Sequence, residues 1–251
     1  MNMLIEGTKI VKSFGKEAEQ VVVLNNVTMN VQEGKFLSIM GPSGSGKSTL
    51  LYAISGMDTI DSGTVIFDQQ RLDQSSEEKL AAIRRNQMGF VFQQPTFLKN
   101  LSLIDNILLP SVGSKEPMNQ LVKRAEELMA SMGILELKDR KITQASGGQL
   151  QRAGICRALM RQPAIIFGDE PTGALNSKAA QEIMDILLQI NQEGTTVVIV
   201  THDVKVAAQS EQVFFMEDGQ IMSNLELGSY MGRDLDLRME SINDYLFATE
   251  S

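Results

Sequence analysis

Between Gly41 and Thr49 the chain reads Gly-Pro-Ser-Gly-Ser-Gly-Lys-Ser-Thr. A short apolar run, Phe36 to Met40, precedes it, and Leu50 to Ile54 continues it in a helical pattern. Strand, glycine loop and helix in this order make a phosphate cradle. Gly41, Gly44 and Gly46 let the backbone wrap close to an anion, with the successive amides after Pro42, from Ser43 through Gly44 to Ser45, turned inward. The helix that opens at Lys47 adds unpaired amides and a positive dipole end. Lys47 reaches the outer phosphates, and the Ser48 hydroxyl, beside Thr49, suits Mg²⁺. The expected ligand is therefore a nucleotide.

The rest of the chain narrows the class. Its 251 residues allow one large or two small domains, and 43% apolar content suffices for a core. One cysteine, Cys156, excludes an internal disulfide and fits a reducing compartment. The start Met1-Asn2-Met3 has no leader pattern, and no apolar run is long enough to cross a bilayer. A membrane role would thus come through a partner. Net charge is −8, which disfavours nucleic-acid backbone binding. Residues 217–251 concentrate the excess, with eight acids against Arg233 and Arg238.

In order, residues 3–12 and 21–31 read as strands around the polar turn Gly15 to Glu19. Phe14, before that turn, is either a base-stacking ring or a packing aromatic. A strand over Met88 to Phe92 ends at Gln93, whose amide oxygen suits a metal. Residues 96–145 turn helical, with Met118, Leu121, Val122, Ala125, Leu128, Met129 and Met132 on one face. Ala145-Ser146-Gly147-Gly148-Gln149 then opens another helix. It is either a second anion site or a helix cap at Ser146. The apolar strand Ala164 to Gly168 ends in Asp169 and Glu170. Asp169 suits Mg²⁺, and Glu170 suits a base that orients water at a terminal phosphate. The last core strand, Thr195 to Val200, leads to His202, the only histidine. A lone histidine is usually structural, but a strand-end position favours chemistry.

Taken together, the glycine loop, Gln93, Ser146 to Gln149, Asp169-Glu170 and His202 resemble the ATP-binding subunit of an ABC transporter. The resemblance runs from Phe14 to about residue 223. It implies an α/β P-loop NTPase core with an antiparallel β subdomain and an inserted α-helical signature subdomain at about 96–160. Residues 1–223 would form the ATP-binding domain, and 224–251 an acidic amphipathic helical extension. It also implies two such subunits closing head to tail on two ATP, so that Ser146, Gly147, Gly148 and Gln149 meet the partner's nucleotide. Phe14 would stack on adenine, while Ser48, Gln93 and Asp169 hold Mg²⁺. Glu170 would be the general base, His202 would fix the γ-phosphate and attacking water, and Lys47 would complete the catalytic set.

The implied place is the cytoplasmic face of the membrane, bound to a separate permease and with no nucleic-acid partner. Arg84-Arg85, the run Asp105 to Pro110 and the run Glu170 to Leu175 are similar to the macrolide-export and lipoprotein-release type, which includes bacitracin- and lantibiotic-resistance ATPases. The implied tasks are antimicrobial-peptide resistance or lipid and lipoprotein extraction. A regulatory ATPase acting on a membrane sensor or wall hydrolase is the alternative, and a ribosome-associated one fits less well. Asn176 stands where that family has aspartate, Ala145 where it has leucine, and Ile142 where proline is frequent. In the tail, Met231, Leu235, Met239, Ile242 and Leu246 share a helical face. That face is expected to pack on its own subunit, the alternative being a contact with a partner.

Overall fold

A computed structural model describes residues 2–15 and 20–249, so most of the polar turn expected at 15–19 lies outside the described residues. Along the chain, β1 (Met3–Phe14), β2 (Val21–Gln32) and β3 (Phe36–Met40) precede α1 (Lys47–Ile54). β4 (Ser62–Phe67), β5 (Gln70–Arg71), α2 (Glu77–Gln87) and β6 (Met88–Phe92) follow. Three helices come next, α3 (Leu103–Leu108), α4 (Met118–Ser131) and α5 (Gly147–Leu159). Then β7 (Ile165–Asp169), α6 (Ser177–Gln192), β8 (Thr196–Thr201) and α7 (Val204–Ala207) alternate. β9 (Gln212–Glu217), β10 (Gln220–Glu226) and α8 (Leu235–Thr249) end the chain. Contacts divide it into two compact units, Met1–Leu80 with Thr196–Ser251, and Ala81–Thr195.

In the first unit, β2, β1, β4 and β5 form an antiparallel sheet in that order. The β4–β5 turn, Asp68-Gln69, has both residues at positive φ, the geometry that matches strand twist in a two-residue hairpin. β3 is buried along its whole length and pairs in parallel with β8 on one side and β9 on the other. Strands covered on both faces read as near-continuous apolar runs, as Phe36 to Met40, interrupted by Ser38, and Val197 to Val200 do. β10 returns against β9 through the Asp218-Gly219 turn.

The tail helix belongs to this unit. Ile242 of α8 is buried among Met40, Ala207, Ala208, Val213 and Phe215, and Leu235, Met239 and Leu246 pack around it. The Tyr245 ring stacks on Phe215 with centroids 4.1 Å apart. Met231 departs from the expected helical face. It is 76% exposed, because the chain bends at Gly228 and Gly232, both at positive φ, and α8 starts only at Leu235.

In the second unit, β6 and β7 pair in parallel, and Phe90 stacks on Phe167 at 5.5 Å. Helix α5 lies hard against β6. A side chain at Gly89 would come within 2.9 Å of the Ala158 carbonyl, so only glycine admits this approach. Helix α4 buries Leu121, Ala125 and Met129, one stripe at helical spacing, whereas Met118 at its start is exposed. Glu116 pairs with Arg124 at 3.1 Å and Arg161 at 2.8 Å. Among the described residues, no helix is long and apolar enough to cross a membrane.

Candidate functional site

The first unit carries the glycine loop. Gly44 and Gly46 are at φ +84° and +96°, which side chains resist. A Cβ on Gly46 would meet the Val23 carbonyl at 2.8 Å, and one on Gly41 the Met216 carbonyl at 2.0 Å. The loop is thus pressed between β2 and β9, and the Ser45 carbonyl accepts from the Gly219 N–H at 3.1 Å. Lys47 is buried and its ammonium donates to the Pro42 carbonyl at 2.7 Å, curled back across the loop it follows. The Ser45 hydroxyl is buried without a hydrogen-bond partner, an orphan in a cradle of backbone amides.

Register brings two further residues to this loop. Met40 of β3 lies opposite Thr201 of β8, so Gly41 and His202 leave neighbouring parallel strand ends. His202 is exposed there. Phe14 pairs with Val21 on β2, two residues before the Val23 carbonyl that touches the loop, and is 46% exposed. An aromatic this open is not a core residue, which bears on the choice that sequence left open.

The second unit carries the carboxylates. Phe92 of β6 lies opposite Asp169 of β7, so Gln93 and Glu170 follow paired positions. Glu170 has φ +48°, a left-handed conformation that a glutamate adopts only when its surroundings impose it. Gly173 closes the turn after it. Its missing side chain admits the Gln93 amide, whose Nε2 would lie 2.9 Å from a Cβ there.

Ser146 caps α5. Its hydroxyl accepts from the Gln149 N–H at 3.4 Å, and the Gln149 side chain accepts from the Ser146 N–H at 2.9 Å. This is a capping box, so the cap reading of that turn holds. It does not exclude the anion reading. A hydroxyl that accepts one bond keeps its own proton for donation, and Ser146 and Gly147 are exposed. Asn176 caps α6 by accepting from the Ala179 N–H at 2.9 Å, work an aspartate would also do.

Two residues escaped the sequence. Gln151, one turn into α5, is 1% exposed, and its amide donates to the Phe92 carbonyl at 2.9 Å and the Pro171 carbonyl at 2.7 Å. One side chain thus ties the glycine-led helix to the residues flanking Gln93 and Glu170. Lys12 is buried beneath Phe14. Polar residues inside amphipathic patterns read as solvent-facing, so neither left a local signal.

Ser48 in the first unit and Gln93 and Asp169 in the second carry hard oxygens, the donor type that Mg²⁺ takes.

A family model for the ABC transporter matches residues 24–173. The chain belongs to the ABC transporter family. It is 39% identical over 226 residues to the bacitracin export ATP-binding protein BceA of Halalkalibacterium halodurans, covering 90% of this chain and 89% of that one. It is 37% identical over 223 residues to the macrolide export ATP-binding/permease protein MacB of Aggregatibacter actinomycetemcomitans, but spans only 35% of that protein's length. Among solved structures, the dimeric ATP-binding cassette MJ0796 in a post-hydrolysis state with ADP and Pi superposes with a TM-score of 0.84 at 37% identity. That match covers 90% of this chain and all of the other. This protein is accordingly an ABC ATPase of mixed α/β fold, an enzyme of ATP hydrolysis.

Proposed function

We propose that this ABC ATPase works as a pair of identical subunits closed around two ATP, driving a separate membrane permease that exports or disarms antimicrobial peptides. Each glycine loop holds one nucleotide, with Lys47 on its outer phosphates and Phe14 on its adenine. Ser146, Gly147, Gly148 and Gln149 of the other copy donate to the γ-phosphate. Glu170 takes the proton of the attacking water as general base, and His202 holds the γ-phosphate. Mg²⁺, held by Ser48 and Gln93 and through water by Asp169, would offset charge on the phosphates. Binding energy closes the pair, and loss of the γ-phosphate opens it. The peptide-export task is supported by the likeness to BceA over nearly its full length.

The observation that carries the catalytic reading is the left-handed Glu170 beside Gln93. A strained acid at a strand end is held there at a cost of about 1–3 kcal/mol. Glu170→Gln keeps the shape and removes the base. Its ATPase rate is expected to fall at least about a hundredfold, within the range for removal of a general base. It is also expected to accumulate as an ATP-bound dimer in light scattering. A variant that stays monomeric with ATP and turns over normally would sink the assignment.

A further inference from the structure

What holds the Phe14 ring lies outside every motif. Lys12 precedes it by two residues on β1, where the pairing with β2 is irregular. Its ammonium sits 5.1 Å from the centre of the Phe14 ring. Lys12 is only 7% exposed, and three acceptors fix it: Asp58 Oδ1 at 2.9 Å, the Thr59 carbonyl at 2.6 Å and Thr59 Oγ1 at 3.3 Å. These acceptors stand in the turn after α1, the helix that opens in the glycine loop. The same turn grips β1 again through Asp61, which accepts from the Ser13 N–H at 2.7 Å and donates its own N–H to Val11 at 2.8 Å.

We infer that Lys12 is a positioning residue for the nucleobase: it holds the Phe14 ring ready to stack on adenine and ties that ring to the helix of the phosphate loop. This rests on the proposal that Phe14 is the stacking ring. An ammonium above one ring face is attracted to it and leaves the other for a base. Because three directional bonds fix the ammonium, the ring is held as well. A ring already held loses less freedom on binding than one that swings. Spacing agrees. Phe14 stands one strand across from β2 and two residues along it from the Val23 carbonyl at the loop. That is about 5 Å and, since the ladder is irregular at Val23, at most about 7 Å, a span suited to a base whose phosphates lie in the loop.

The test compares Lys12→Met, Lys12→Arg and Phe14→Leu in steady-state ATPase assays, with inorganic tripolyphosphate as a competitor that has no base. Lys12→Met is expected to raise KM for ATP roughly five- to tenfold, with kcat within about twofold and tripolyphosphate inhibition unchanged. Lys12→Arg should restore most of the loss. If Phe14→Leu raises KM but Lys12→Met does not, the inference fails while base stacking stands. If Phe14→Leu leaves KM unchanged, the stacking reading itself fails. If Lys12→Met weakens ATP and tripolyphosphate alike, Lys12 merely supports the loop and the inference is overturned. Should Lys12→Met not fold, Asp58→Ala, which removes one anchor of the ammonium, must shift KM the same way or the inference falls.

Discussion

Replacing Arg238 by methionine should undo the docking of α8. Arg238 reads in the sequence as one of two cations among tail acids, yet it is 5% exposed. Its guanidinium donates to the carbonyls of Ser210 at 3.0 Å, Leu227 at 3.1 Å, Gly228 at 2.9 Å and Ser229 at 2.9 Å, and more weakly to Ala208 at 3.4 Å. Nε donates to Asp234 Oδ2 at 2.6 Å, and the plane lies 5.3 Å from the Tyr230 ring centre. The side chain therefore pins the start of α8 to the turn before β9 and to the bend after β10.

Methionine fills part of the volume but leaves those carbonyls and Asp234 without their donor. Hydrogen bonds to charged groups contribute about 1.5–3 kcal/mol each and are not additive. The Asp234 side chain is 42% exposed, so the loss comes from the buried carbonyls left without a donor, about 3 kcal/mol in total. For a protein of this size that lowers Tm by on the order of 10 °C. Urea unfolding measures the loss, and hydrogen exchange across residues 235–249 shows whether α8 detaches first. Arg238→Lys should recover only part, since three donors on a point charge cannot span the same acceptors. A loss below about 1 kcal/mol with α8 still protected would refute this account of the tail.

Two other outcomes are open to direct measurement. Gln151→Met should lower kcat about tenfold or more by unlocking the Gln93 and Glu170 turns; an unchanged kcat would make Gln151 mere packing. Burial pushes the Cys156 thiol from 9.0 up to about 12, so the native protein should resist thiol reagents at pH 8 and react once unfolded. The raised value favours the protonated thiol in the folded state, so its stabilising share is whole below about pH 9 and fades as pH rises toward 12; full alkylation of native protein at pH 8 would contradict this.

Much of the candidate site was legible because its patterns are local. Gly41 to Thr49 needs only its own backbone and the helix after it, and Asp169-Glu170 needs only an apolar strand that stops. The strands themselves followed from runs such as Phe36 to Met40, since burial on both faces leaves a near-continuous apolar signature. Local pattern also misled. Met231 matched the helical period of Leu235 and Ile242, but Gly232, at positive φ, separates it from the start of α8.

What pairs with what was decided only by the tertiary fold. Lys12 meets Asp58 across 46 residues, Gln151 meets Phe92 across 59, and Arg238 meets Ala208 across 30. Each is a polar side chain whose position suggests solvent, and each is buried because distant backbone carbonyls or carboxylates gather around it. Hydrogen-bond satisfaction at long range leaves no periodicity in a chain, so sequence alone has nothing to show. The glycine loop was evident from its residues. That one buried lysine bonds to the turn after its helix and lies against the Phe14 ring was evident only once the strands had paired.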